Sequence, residues 1–110
     1  MGNTVVLKGP EASPATYYNF VKVMHDAGLP PGVLNTIYHD PKDAAQVTNA
    51  LIDHPSVKKV NFTGSTNVGS IIAARCGKNL KPCLMELGEF SRSLLFLSLL
   101  FFLELVTDKH

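Results

Sequence analysis

A β-branched run, Val57 to Thr63, ends in Gly64-Ser65-Thr66 and passes at once into a helical pattern from Thr66 to Cys76, with Gly69 one turn inside. A strand that turns on glycine directly into a helix buries its apolar surface when the helix folds back over a sheet, so the unit predicts a layered α/β arrangement. The same turn aims the free N–H groups and the dipole of the new helix outward, where they favour an anion. No Gly-Lys-[Ser/Thr] follows, which excludes a P-loop. An ordinary strand-to-helix turn capped by Ser65 or Thr66 has the same local pattern.

The rest of the chain repeats this alternation. Thr4 to Lys8 reads as a short strand. Ser13-Pro14 supplies an N-cap and a first-turn proline for a helix whose Tyr17, Phe20, Val21 and Met24 share a face and which stops at Gly28. Leu29-Pro30-Pro31-Gly32 is a turn, and Val33 to Tyr38 a second strand. Asp40-Pro41 opens the next helix, expected to bury Ala44, Val47, Ala50 and Leu51 and to end near His54-Pro55. After the Val57 strand and its helix, which stops at Gly77, Lys81 to Leu87 forms a fourth strand. This order with short connections predicts a Rossmann-like parallel sheet with flanking helices, whose ligands bind beyond the carboxyl ends of the strands. Lys8, Gly64-Ser65 and Glu86 all fall at those ends.

A chain of 110 residues holds one domain. Its formal net charge is +1, without a Lys/Arg run, so the electrostatic signature of a nucleic-acid partner is missing. Cys76 and Cys83 lie outside any zinc-ligand spacing and read as buried packing residues, and no metal site is expected. The four histidines are scattered and read as surface residues. Met1 to Lys8 has no charged n-region or small-residue cleavage site and reads as a strand, so a reduced, cytoplasmic setting is the default.

Two further positions carry chemistry. Lys8-Gly9-Pro10-Glu11 places an ammonium and a carboxylate where they suit the two hydroxyls of an adenosine ribose. Glu11 also repels a 2′-phosphate, which favours NAD over NADP. Read alone, the pair is equally a solvated Lys/Glu contact at a loop. Glu86 ends the apolar stretch Cys83-Leu84-Met85, and partial burial there raises a carboxyl pKa toward the range useful to a general base. The bland alternative is an exposed glutamate at a strand end.

Taken in order, Gly2-Asn3-Thr4-Val5-Val6-Leu7-Lys8 with Glu11 and Ser13-Pro14, then Ala27 to Asn35, then Phe62-Thr63-Gly64-Ser65-Thr66, then Glu86-Leu87-Gly88, resemble the NAD(P)-dependent aldehyde dehydrogenases. The resemblance runs from Gly2 to Gly88. It implies an oxidoreductase acting on the aldehyde group with NAD(P)+ as acceptor, and a homo-oligomer. It also implies that Lys8 and Glu11 bind the adenosine ribose, that Gly64 and Ser65 lie against the pyrophosphate, and that Gly32 lines the adenine side. Glu86 matches the general base that activates water for thioester hydrolysis, and Leu87 packs near the nicotinamide. The pattern departs from the family after Gly88, where Glu89-Phe90 replace Gly-Lys. The nucleophilic cysteine in its Gly-Gln-x-Cys setting and the upstream Asn-Phe-Pro segment are absent, so the isolated chain is expected to be inactive.

These features divide the chain into residues 1–88, part of an NAD(P)-binding domain, and residues 89–110, an apolar non-family tail of helical or irregular structure. Leu94 to Val106 is apolar apart from Ser98 and Glu104, too short for the roughly 20 residues of a membrane-spanning helix. So abrupt a change of composition is also what a shifted reading frame produces. The alternative function is a non-catalytic product that binds nucleotide or associates with a partner or membrane. An unpaired sheet edge would promote that association.

Overall fold

The structure is a computed structural model that describes residues 2–88 in full and the backbone of residues 103–107. It contains β1 (Thr4–Lys8), α1 (Pro14–Asp26), β2 (Leu34–Ile37), a 3-10 turn (Pro41–Asp43), α2 (Ala44–Asp53), β3 (Val57–Gly64), α3 (Thr66–Lys78), β4 (Cys83–Leu87) and β5 (Leu103–Thr107). The expected α/β order is therefore present, with helix ends displaced by a residue or two. Asp40-Pro41 opens the 3-10 turn rather than α2, and Gly77 lies inside α3 rather than ending it. Neither Ser13 nor Asp40 makes a side-chain capping bond.

The sheet order is β2-β1-β5-β3-β4. β1 pairs with β2 and β3 with β4, both in parallel. Between these two pairs lies β5, antiparallel to both neighbours, with Val6 opposite Leu105 on one side and Val60 opposite Leu105 on the other. The expected all-parallel sheet thus contains one reversed strand at its centre. Part of the segment expected to be helical or irregular is this strand, and the rest lies outside the described residues. The parallel pairs leave a gap between β1 and β3, and backbone N–H and C=O groups lining such a gap need partners. β5 supplies them at the centre of the sheet, and β2 and β4 remain its edge strands.

The two faces of the sheet are sorted by alternation along the strands. On one face Ile52 of α2, Val57 and Val60 of β3, and Ile72 and Cys76 of α3 form the core, with Val6, Leu51, Phe62 and Met85 packed against it. On the other, Val5 and Leu7 meet Phe20 and Met24 of α1. Val57 and Val60 are an odd number of residues apart yet share a face, which strict alternation forbids. An irregularity of the β3–β5 register between Val57 and Lys59 supplies the extra step.

Ile52 is fully buried, whereas Ala50, expected in the core, is exposed. Ala44, Val47 and Leu51 are half-buried, and Leu51 packs against the core beside Ile52. Arg75 leaves the apolar face of α3 to grip Asp53 with two guanidinium nitrogens, and Asn79 Nδ2 donates to the same carboxylate at 3.0 Å. Lys81 Nζ donates to the carbonyl oxygens of Ile52 and His54, satisfying the last turn of α2.

Candidate functional site

The carboxyl ends of β1 and β3 open into a cleft of about 460 Å³ between α2 and α3. Lys8, Pro10 and Glu11 line one side, Ala44, Ala45, Thr48 and Asn49 another, and Phe62, Thr63, Val68, Ile71 and Ile72 the third. The wall is apolar apart from the few groups at its rim. Ile71 is 68% exposed and Val68 46%, so α3 presents a bare apolar surface to the opening. A flat aromatic base with a polar sugar attached matches such a surface.

At the mouth, Lys8 Nζ donates to Glu11 Oε1 at 3.0 Å. His39 Nε2 lies 3.0 Å from the same oxygen, its side chain only 5% exposed. Partial burial pushes the Glu11 carboxyl up, but its own backbone N–H, Lys8 and His39 together hold it below the ordinary value. Glu11 is thus a carboxylate at neutral pH. His39, expected at the surface, is buried here because β2 ends beside β1, with Lys8 opposite Ile37. Its burial depends on a pairing between distant segments that local pattern does not reveal.

Gly64 and Ser65 form the turn from β3 into α3. Ser65 is the N-cap, and its Oγ accepts from the Val68 N–H at 3.3 Å. The hydroxyl first offered to an anion is therefore already engaged with the helix. A Cβ on Gly64 would stand 2.6 Å from Cζ of Phe62 and 3.2 Å from Cε1. Glycine there lets the Phe62 ring lie over the turn, and Phe62 is a cleft residue that pattern alone did not single out.

Leu87 and Glu86 diverge. Leu87 packs against Gly69 of α3, on the same side of the sheet as the core. Glu86, on the alternate face of β4, receives a hydrogen bond from Thr63 Oγ1 at 3.3 Å. It is exposed, so the partial burial expected to tune it is absent from these residues. Gly32 does not join the set. With φ +83° it turns the chain before β2, next to the amino end of β1, at the opposite edge of the sheet from the cleft. The structure therefore sets Lys8 and Glu11 in the wall of the cleft, carries the Gly64-Ser65 turn between the cleft residues Thr63 and Val68, puts Leu87 and Glu86 on adjacent positions of β4, and leaves Gly32 apart.

Of the cysteines, Cys76 is buried as expected, but Cys83 is exposed. Burial and the neighbouring Cys83 push the Cys76 thiol up to about 11. Among the described residues no group of three or more His, Cys, Asp or Glu side chains is placed to hold a metal. Likewise, no described helix is long and apolar enough to cross a membrane.

A strand-turn-helix unit and a Lys–Glu pair, both at the carboxyl ends of a sheet with helices on its two faces, are the arrangement of a doubly wound α/β protein, whose ligands bind at those strand ends. The profile of the "Aldehyde dehydrogenase family" matches residues 1–97, and the chain belongs to that family. It is 53% identical over 87 residues to vanillin dehydrogenase of Pseudomonas fluorescens, an alignment covering 79% of this chain and 18% of that protein. Cytosolic 10-formyltetrahydrofolate dehydrogenase of Homo sapiens is 41% identical over 96 residues, 86% of this chain and 10% of that one. The crystal structure of a salicylaldehyde dehydrogenase from Pseudomonas putida G7, complexed with salicylaldehyde, superposes with a TM-score of 0.77 at 48% identity, over 80% of this chain and 18% of that one. The chain thus spans about a fifth of the length of the bacterial relatives it matches.

Proposed function

We propose that residues 1–88 form the cofactor-side portion of an NAD(P)+-dependent aldehyde dehydrogenase, its sheet completed by the Leu103–Thr107 strand. The observation that carries the reading is one largely apolar cleft lined by the Lys8–Glu11 pair and by Phe62, Thr63 and Val68, the residues that flank the Gly64-Ser65 turn. Lys8 and Glu11 suit the ribose hydroxyls, a donor and an acceptor for a diol. The Gly64-Ser65 turn offers backbone N–H groups to the pyrophosphate. Phe62, Val68 and Ile71 give the base an apolar seat.

The dinucleotide, when bound, accepts the hydride released in aldehyde oxidation. In that reaction Glu86 takes the proton of the water that hydrolyses the acyl-enzyme, and Thr63 orients its carboxylate. Leu87, seated on Gly69, shields the nicotinamide end from water. The aldehyde is bonded through a cysteine thiolate. Cys76 is unsuited to that role because it is buried and its thiol is held protonated, and Cys83 sits at the amino end of β4, away from Glu86. The 110-residue chain is therefore read as a nucleotide binder without aldehyde turnover of its own.

Glu11 opposes a 2′-phosphate, so NAD+ is the preferred ligand. Calorimetric titration of the purified chain with NAD+, alongside an assay of NADH absorbance with an aromatic aldehyde, tests the reading. Saturable NAD+ binding without NADH formation is expected, and no binding up to millimolar NAD+ overturns it. A second reading, association with another protein through β4, draws on that strand's position at the sheet edge and on its Leu84, 50% exposed.

A further inference from the structure

His39 is the buried titratable group that the reading above leaves without a role. Its Nδ1 lies 2.8 Å from the carbonyl oxygen of Asp40. A carbonyl only accepts, so Nδ1 carries a hydrogen. Nε2 lies 3.0 Å from Glu11 Oε1 but is not aligned for a hydrogen bond with it. If Nε2 were bare, its lone pair would face a carboxylate oxygen at contact distance, in surroundings nearly free of water. With a proton on both nitrogens the same contact becomes an ion pair. Lys8 holds the same Oε1 at 3.0 Å, so one carboxylate is flanked by an ammonium and an imidazole.

The other ionisable groups nearby leave this balance intact. Asp40 and Lys42 pair with each other at 3.3 Å through side chains 60% and 74% exposed, so their charges cancel in solvent. Tyr17 and Tyr38, whose side chains close over Gly9 beside the cluster, are neutral phenols. Lys8, Glu11 and His39 therefore sum to one positive charge when the imidazole is protonated and to none when it is neutral.

We propose that His39 sets the choice between NAD+ and NADP+ at the Lys8–Glu11 pair, by cancelling Glu11's repulsion of a 2′-phosphate whenever its ring is protonated. The proposal rests on the reading of Lys8 and Glu11 as the ribose-binding pair. Glu11 alone favours NAD+. A charged His39 removes the penalty on the phosphate without removing the acceptor that a free 2′-hydroxyl uses. The chain then discriminates against NADP+ with the ring neutral and accepts it with the ring protonated. His39 is a positioning and charge-setting residue, acting through Glu11.

The test is the ratio of dissociation constants for NADP+ and NAD+, measured by calorimetry on the purified chain at pH 6 and pH 8, native and with His39→Gln. The 2′-phosphate itself titrates near pH 6, so the variant serves as the reference for that contribution. The native ratio is expected to fall between pH 8 and pH 6 by roughly fivefold more than the variant's, the scale of one charge at a partly solvated site. A looser fold weakens both ligands together and leaves the ratio alone.

The native chain provides a second readout that needs no variant. By linkage, saturating NADP+ raises the titration midpoint of the His39 ring resonances in NMR, whereas NAD+ leaves it in place. If both dinucleotides bind, and neither the ratio nor the midpoint responds, this proposal fails while the nucleotide-binding reading stands. If neither dinucleotide binds, both fail.

Discussion

The side chain of Leu87 lies directly over the missing side chain of Gly69. A Cβ built there would stand 2.9 Å from Leu87 Cδ1, closer than carbon contacts come, and 3.1 Å from Cγ. This contact seats α3 on β4 and holds the leucine of the Glu86-Leu87-Gly88 segment. Gly69→Ala sets two effects against each other. Alanine favours the helix by about 1 kcal/mol, and Leu87, 38% exposed, has room to swing away. Stability is expected to change by less than about 1 kcal/mol, while the Leu87 methyl resonances shift and affinity for the nicotinamide end of NAD+ falls severalfold. Comparing binding of NAD+ with that of AMP checks it, since AMP affinity should be unaffected.

The two cysteines differ in reactivity as well as burial. Cys76 has no exposed surface, and with its thiol pushed up to about 11 it is almost wholly protonated at pH 8. Cys83 is exposed. One equivalent of a maleimide is therefore expected to react with the folded chain and map to Cys83, with the second reacting only in denaturant. Equal labelling rates at both sites would show that α3 does not pack on β3 as described.

Most elements could be read locally because proline, glycine and capping residues punctuate them. Pro14, Pro41, Gly28 and the Gly64-Ser65 turn each act within a few residues of their own position. What could not be read locally depends on partners far along the chain. The burial of Ile52 rather than Ala50 is decided by where α2 crosses β3. His39 is buried by Glu11 and Lys8, two elements earlier. The family resemblance alone puts Gly32 on the adenine side, and no local pattern reveals that its turn lies beside the amino end of β1, at the end of the sheet opposite the cleft. The reversed strand β5 was hidden for the same reason. Nothing in Leu103–Thr107 encodes its position between β1 and β3, which follows from the gap those two strands leave.

Glu11 makes the mouth of the cleft sensitive to acid. Its folded pKa lies below the ordinary value of a glutamate, so the unfolded chain binds the proton more readily. The stabilisation is then fully present above the unfolded pKa and is lost as the pH falls through the folded one. Urea unfolding of the native chain between pH 6 and pH 3 is expected to show this loss at the acid end. Glu11→Gln should be less stable than native at pH 6, by a fraction of a kcal/mol given the partial exposure of the pair. Its own acid slope should be shallower. Parallel pH profiles for the two proteins would mean that Lys8 and His39 do not hold the carboxylate in solution.

The central strand supplies the strongest test of the fold. Leu105 pairs with Val6 on one side and Val60 on the other, so its backbone sits at the middle of the sheet. Proline there removes an N–H from the ladder and obstructs the neighbouring strand, a substitution tolerated only at sheet edges. Leu105→Pro is expected to cost roughly 3 kcal/mol or more, and to lower Tm by more than about 10 °C in a chain of this size. Lys58→Pro would disturb β3 directly and does not discriminate, whereas Thr107→Pro, at the end of β5, should cost much less. Melting curves of Leu105→Pro and Thr107→Pro therefore distinguish a strand that closes the sheet from a segment that merely lies against it. Similar melting temperatures for both would place β1 and β3 in some other arrangement. A large gap between them would show that a segment beyond the family match at residue 97 completes the sheet that carries the nucleotide site.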